Sequence, residues 1–180
     1  MDLRELNRID LDDYQKYLTD GLKVDFNNIA GKEHYRLLNY ICNGKSLVFD
    51  IGTYRGNSAI AMSSAKKVIS YDVENLRKVK KPSNVTFKIG NALEDPDLLK
   101  ADVILLDTYH DGTFEKQVYD FLTEKSYKGI LLVDDTRLNK EMMTFWASIT
   151  HVKEDLTSIG HYSGTGVVYF DRVKRCSTCG

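Results

Sequence analysis

Proline and cysteine are scarce in this chain: two prolines and three cysteines among 180 residues. Both prolines, Pro82 and Pro96, fall in expected connections, so neither breaks a helix or a strand. So few thiols exclude a disulfide-stapled scaffold. An odd thiol number with no secretory leader points to a reducing compartment, the cytoplasm. No apolar run approaches the roughly 20 residues that a membrane span requires. Excess charge is missing too: 25 Lys and Arg face 26 Asp and Glu, for a formal net charge of −1. Without a basic surface, nucleic acid is an unlikely partner, and a small molecule is the expected one. There is no internal repeat and no low-complexity linker. A chain of this length forms one domain and buries about 70% of its unfolded surface without staples.

Two of the cysteines, Cys176 and Cys179, form a C-x-x-C in the tail 173–180. A four-ligand zinc site needs a second such pair, and none exists. Cys42 lies in an apolar segment with Leu37, Leu38 and Ile41 and reads as a small buried hydrophobe.

The periodicity predicts an α/β chain. Residues 1–44 read as N-terminal helices that cap the domain: one pattern to about Asp20, a polar break at Asp25-Phe26-Asn27-Asn28, then a second pattern on which His34 packs with Leu37, Leu38 and Ile41. From 45 to 172 short apolar runs alternate with amphipathic stretches. The runs centre on Val48, Ile69, Phe87, Ile104 and Leu132, and their continuous β-branched and aliphatic character suits strands buried on both faces of a parallel sheet. Helices are expected at Gly56–Lys66, Glu74–Lys80, Asp97–Lys100, Thr113–Glu124 and Asn139–Thr150. Two further strands, near Val152–Thr157 and Val167–Asp171, are joined by a glycine-rich link and should be antiparallel. The sum is a doubly wound, mostly parallel sheet with a C-terminal antiparallel hairpin.

Four of the five parallel runs end in an acid: Asp50, Asp72, Asp107 and Asp134, the last followed by Asp135. Parallel strands put these ends on one edge, where open α/β sheets bind their ligands. Helix capping accounts for one or two such acids but not for all of them. The first connection, Asp50-Ile51-Gly52-Thr53-Tyr54-Arg55-Gly56-Asn57-Ser58, has a glycine for a sharp exit and a second one where backbone can approach a ligand. It lacks the middle glycine of the dinucleotide fingerprint, which weakens the reading as an NAD-dependent oxidoreductase. Its leading acid also suits a cationic or amino-acid ligand better than a pyrophosphate. Asp72, 22 residues after Asp50, has the place and spacing of an acid that grips adenosine ribose hydroxyls.

Together Asp50–Ser58, Tyr71-Asp72, Gly90-Asn91-Ala92 and Leu106-Asp107 resemble the four S-adenosylmethionine (SAM) motifs of the class I, Rossmann-like methyltransferases. The loop is most similar to that of the catechol and macrocin O-methyltransferase group, and the likeness spans about Leu47 to Asp171. Carried over by position, the resemblance implies a cofactor site of Asp50, Gly52, Thr53, Tyr54, Gly56, Ser58, Asp72, Asn91, Ala92 and Asp107. Asp50 and Gly52 would border the methionine part, Asp72 the ribose and Asn91-Ala92 the adenine. Asp107 would sit at the methyl-transfer end.

Leu106-Asp107-Thr108-Tyr109-His110 is similar to the D-x-x-H segment of small-molecule methyltransferases. In the metal-dependent relatives an acid here and an acid pair after the next strand bind a divalent cation. The matching residues are Asp107, Asp134 and Asp135, an all-oxygen set suited to Mg²⁺, Mn²⁺ or Ca²⁺. The group usually has Asp-Asn at that pair. The other reading makes Asp134 or Asp135 a cap for the helix near Asn139. His110 is read either as the general base beside catalytic Asp107 or as a loop cap. His161 is read as an exposed turn residue that could reach the same rim. The implied activity is O-methylation of a small-molecule or sugar-like hydroxyl. The alternative is a non-catalytic adenosyl-ligand binder or a partner subunit of a larger methyltransferase, since no large insertion supplies a lid. Amino-group methyltransferases carry Asn/Asp-Pro-Pro-Tyr after the fourth strand, and this chain does not.

Overall fold

The computed structural model describes residues 3–28 and 33–172, so Cys176 and Cys179 lie outside the described residues. Seven strands form one sheet: β1 (Val48–Ile51), β2 (Val68–Asp72), β3 (Val85–Ile89), β4 (Val103–Leu106), β5 (Ile130–Asp134), β6 (Val152–Asp155) and β7 (Thr165–Tyr169). Their order is β3-β2-β1-β4-β5-β7-β6. The five apolar runs pair in parallel, and β7 inserts antiparallel between β5 and β6. The chain reverses direction across the sheet between β1 and β4, and such a switch point opens a crevice at the strands' carboxyl ends. The registers Ile51↔Leu106 and Leu106↔Val133 bring Asp107 and Asp134 to neighbouring strand ends.

Each face of the sheet has its own core. On one side Phe49, Ile69, Ile104, Leu106 and Leu131 pack against α6 (Thr113–Glu124) and α7 (Lys140–Ser148) through Val118, Leu122, Met142 and Phe145. On the other side Val48, Val68, Val103, Leu105 and Leu132 meet α3 (Asp20–Asn28), α4 (His34–Cys42) and α5 (Asn57–Ala61) through Phe26, Leu38, Cys42 and Ile60. Two-sided burial is why β1, β2, β4 and β5 read as continuous apolar runs, whereas β3, at the edge of the sheet, is only partly buried, contrary to expectation. Each fully buried Leu, Ile or Phe contributes about 1.5–3 kcal/mol. No helix among the described residues is long and apolar enough to cross a membrane.

The structure corrects three local expectations. The first stretch is not one helix but two single turns, α1 (Leu3–Leu6) and α2 (Asp12–Gln15), because Asp10 accepts a hydrogen bond from Asp12 N (2.8 Å) and starts a new turn. The supposed break at Asp25–Asn28 is helical and ends α3, since Phe26 is buried and stacks on Tyr35 with centroids 4.6 Å apart. Glu74–Lys80 forms no helix. Its backbone is drawn to other segments instead: Lys78 N donates to Arg55 O (3.0 Å) and Lys80 N to Tyr17 O (2.7 Å).

Candidate active site

Two adjoining cavities occupy the carboxyl edge of the sheet. The first, about 720 Å³, lies over β1, β2 and β3 and is walled by Gly52, Tyr54, Asp72, Glu74, Asn91, Ala92 and the segment Asp107–His110. The second, about 460 Å³, lies over the loop 52–58 and is closed by His34, Tyr35, Asp134, Asp135, His161 and Tyr162. Gly52, Tyr54 and Asp107 border both. Most of the residues expected at a cofactor site therefore line a cavity, with Thr53, Gly56 and Ser58 on the second.

Asp50 lines neither cavity. It is fully buried in the middle of β1, where Ser58 Oγ (3.1 Å) and Ser70 Oγ (2.7 Å) donate to Oδ2. Burial pushes its carboxyl up to about 7, opposed by the Ser70 bond and reinforced by Asp107. Asp50 thus holds the base of the loop from behind, paired in register with Ser70, and does not itself line the cavity it was expected to border.

The loop glycines are needed for reasons that differ from the expected ones. Gly52 has φ +108°, and a Cβ there would meet the Asp107 carbonyl oxygen at 1.5 Å. Gly56 has φ +100°, and its Cβ would lie 2.6 Å from Val79. Both glycines admit protein at close range, the β4 end in one case and the β2–β3 connection in the other, while also lining the cavities. Between them Tyr54, itself at φ +42°, donates its N–H to Asp72 Oδ2 (2.6 Å), while Glu74 N donates to Oδ1 (3.2 Å). Each oxygen keeps a free lone pair, so Asp72 can still accept two hydroxyls. Asn91 caps the turn Ala92–Glu94 by accepting from Leu93 N (3.1 Å).

The segment after β4 is held by a residue that the sequence reading missed. Glu115, fully buried on α6, accepts from Thr108 Oγ1 (2.6 Å) and from His110 N (2.9 Å). Asn139, the N-cap of α7, donates to His110 O (2.8 Å). These bonds set His110 at φ +58° with its ring against the acids: Nε2 is 3.2 Å from Asp107 Oδ1 and 3.3 Å from Asp135 Oδ2, aligned with neither as a hydrogen bond. Burial disfavours its charged form, but Asp107 and Asp135 outweigh burial and raise its pKa.

His161 is not an exposed turn residue. The 156–165 link is fastened to the end of β5 by Arg137 N→Ser163 O (2.8 Å) and Thr136 N→Gly164 O (3.3 Å), which carries the ring inward. His161 Nδ1 lies 2.8 Å from Asp135 Oδ1 and 3.2 Å from Asp134 Oδ2, and Ser163 Oγ also donates to Asp135. Burial works against the imidazolium, yet the two carboxylates push His161 up to about 10. Burial raises Asp134, whereas the His161 and Ser163 bonds hold Asp135 below the usual carboxylate range despite its own burial. His34, beyond packing in α4, reaches the same cluster, its Nδ1 4.0 Å from Asp134 Oδ1. Burial and the nearby His161 push it down to about 3, so it is neutral.

The expected trio of acids is therefore regrouped. Asp134, Asp135 and His161 bring ligand atoms within 4.8 Å of one another, and Asp107 is not part of that group because the His110 ring stands between it and Asp135. Asp135 caps no helix, since that role on α7 falls to Asn139.

No family model and no curated protein matches the chain. Solved structures do. A methyltransferase from Podospora anserina, PaMTH1, bound to S-adenosylhomocysteine (SAH), superposes with a TM-score of 0.57 at 14% identity, over 94% of this chain and 97% of the other. The O-methyltransferase TomG from Streptomyces achromogenes, in complex with SAM, gives 0.56 at 11% identity over 94% and 99%. A methyltransferase from Geobacter sulfurreducens gives 0.55 at 14% identity over 84% and 90%. This chain has the Rossmann-like fold of those methyltransferases along almost its whole length.

Proposed function

We propose that the protein is a SAM-dependent O-methyltransferase of a small-molecule hydroxyl, working in the cytoplasm. One observation carries the reading: a cavity of ligand size ends at Asp107, and a second cavity with acids and imidazoles begins at the same residue. A cofactor in the first and an acceptor in the second would meet there. TomG, with the same fold, is an O-methyltransferase crystallised with SAM.

The residues present fit that cofactor. Asp72 retains acceptor capacity for two ribose hydroxyls, and Asn91-Ala92, which line the same cavity, would lie along adenine. Gly52, Tyr54 and Asp107 would flank the methionine end. SAM supplies a methyl group already activated on a sulfonium sulfur. The protein's part is alignment and proton handling: the acceptor oxygen must stand in line with the methyl and lose its proton. Asp107 and His110 are the proposed pair for that proton, His110 accepting it at Nε2 when neutral and Asp107 stabilising the imidazolium that results. Asp134 and Asp135 would hold a divalent cation, which supplies Lewis acidity toward the acceptor oxygen.

Separate calorimetric titrations with SAM, SAH and NAD test the cofactor. SAM and SAH should bind and NAD should not; NAD binding without SAH binding overturns the proposal. Incubation with methyl-labelled SAM and a metabolite extract then captures the acceptor, with and without EDTA.

A further inference from the structure

In the second cavity the Asp134 carboxylate lies between two imidazoles. His161 approaches Oδ2 at 3.2 Å from the link before β7, and His34 approaches Oδ1 at 4.0 Å from the start of α4. His34 is 3% exposed, and neither its Nδ1 nor Asp134 Oδ1 has a hydrogen-bond partner. Buried polar atoms without partners are rare and costly, and here two of them face each other across a gap too wide for a direct bond. On the other side of Asp134, the Asp135 and His161 ligand atoms are 2.8 Å apart, and Ser163 holds both side chains in place.

We propose that Asp134, Asp135 and His161 are the ligands of one divalent transition-metal ion, with His34 Nδ1 as the adjacent fourth donor. The imidazoles decide which metal. Carboxylate-only sites suit Mg²⁺ and Ca²⁺, which take oxygen ligands almost exclusively. A mixed nitrogen and oxygen set suits Mn²⁺, Fe²⁺, Co²⁺ or Zn²⁺, and affinity for such sites climbs along that part of the series. The site therefore differs from the all-oxygen trio expected from the sequence in a ligand, His161 for Asp107, and in its preferred ion. The charge also balances: two carboxylates meet a dication, and His161 releases its proton on coordination. Ser163 on Asp135 is the outer contact that orients a ligating carboxylate. The inference places its ion in the acceptor cavity of the proposed methyltransferase, but binding of the ion requires no methyl transfer.

The test uses the full chain, stripped of metal and titrated with Mn²⁺ alone. Electron paramagnetic resonance of free Mn²⁺ should show a single tight site. Pulsed resonance of the bound ion should show nitrogen couplings from coordinated imidazole, a readout that needs no variant. A roughly hundredfold excess of Mg²⁺ should fail to displace it. His161→Gln, checked for folding by circular dichroism, should lose at least about tenfold in Mn²⁺ affinity together with the His161 share of the nitrogen coupling. Absence of Mn²⁺ binding, binding without nitrogen coupling, or displacement by equimolar Mg²⁺ would each overturn the site. SAH titration of the same sample separates the two proposals: SAH binding without Mn²⁺ removes the metal site alone, and the reverse removes the methyltransferase reading alone.

Discussion

The two halves of the sheet's carboxyl edge treat their acids in opposite ways. At β1 and β2, Asp50 and Asp72 accept from neutral groups, the hydroxyls of Ser58 and Ser70 and the backbone N–H of Tyr54 and Glu74. At β4 and β5, Asp107, Asp134 and Asp135 are met by the rings of His110 and His161. Neutral donors fix the shape of a loop and leave charge where it was. Imidazoles gather charge and can hold a proton or an ion. The first half fixes the shape of a loop, and the second gathers titratable side chains around its acids.

The largest effect is expected where the halves touch. Gly52→Val would force a branched side chain into the Asp107 carbonyl at a positive φ. It should cost about 3 kcal/mol or more of stability and abolish SAH binding, measured by urea denaturation and calorimetry. A stable variant that still binds SAH would mean the halves are independent. Next, in chelated buffer, His161→Ala should cost about 2 kcal/mol by removing the imidazole that faces both Asp134 and Asp135, a value discounted for partial exposure. Ser70→Ala should cost about 1 kcal/mol through a neutral bond to Asp50. Equal losses would erase the contrast.

Asp72→Ala should weaken SAM binding by about 1.5–3 kcal/mol while the protein stays folded. Unchanged affinity in calorimetry would strip the first half of its proposed ligand. The last test is a control away from the strand-end acids of both halves. Asp95 accepts from Tyr71 OH (2.8 Å) and Lys88 Nζ (2.6 Å), and although burial opposes it, those bonds lower its pKa. A lowered folded-state value means the contribution is present above the ordinary carboxylate range and is lost as pH falls through the folded value. Asp95→Asn should thus cost about 1 kcal/mol near neutral pH, since Lys88 is partly exposed, and the deficit should vanish in acid. Thermal melts across that range check the sign.

The parallel core was legible because strands buried on both faces leave uninterrupted apolar runs, and α6 matches its expected span, Thr113–Glu124. The helix expected at Glu74–Lys80 failed because its few apolar residues serve elsewhere: Val79 fills the space over Gly56. At the site, residues on the strand-end loops could be placed because parallel topology gathers strand ends. His161 and His34 could not, since nothing in local spacing says that an antiparallel link and an N-terminal helix fold over β5. Glu115 left a usable signal. It shares the spacing of Val118, Tyr119 and Leu122, the face that α6 buries, and a carboxylate on such a face needs partners.

The two cavities meet at three residues, Gly52, Tyr54 and Asp107, and are otherwise walled by different segments. Selection can therefore redraw one wall while the other is inherited unchanged. Tyr35 and Tyr162, from α4 and the link before β7, face the second cavity and make no part of the first. A laboratory library confined to these two positions would vary the second cavity alone, and, under the proposed function, SAM affinity would be its internal standard.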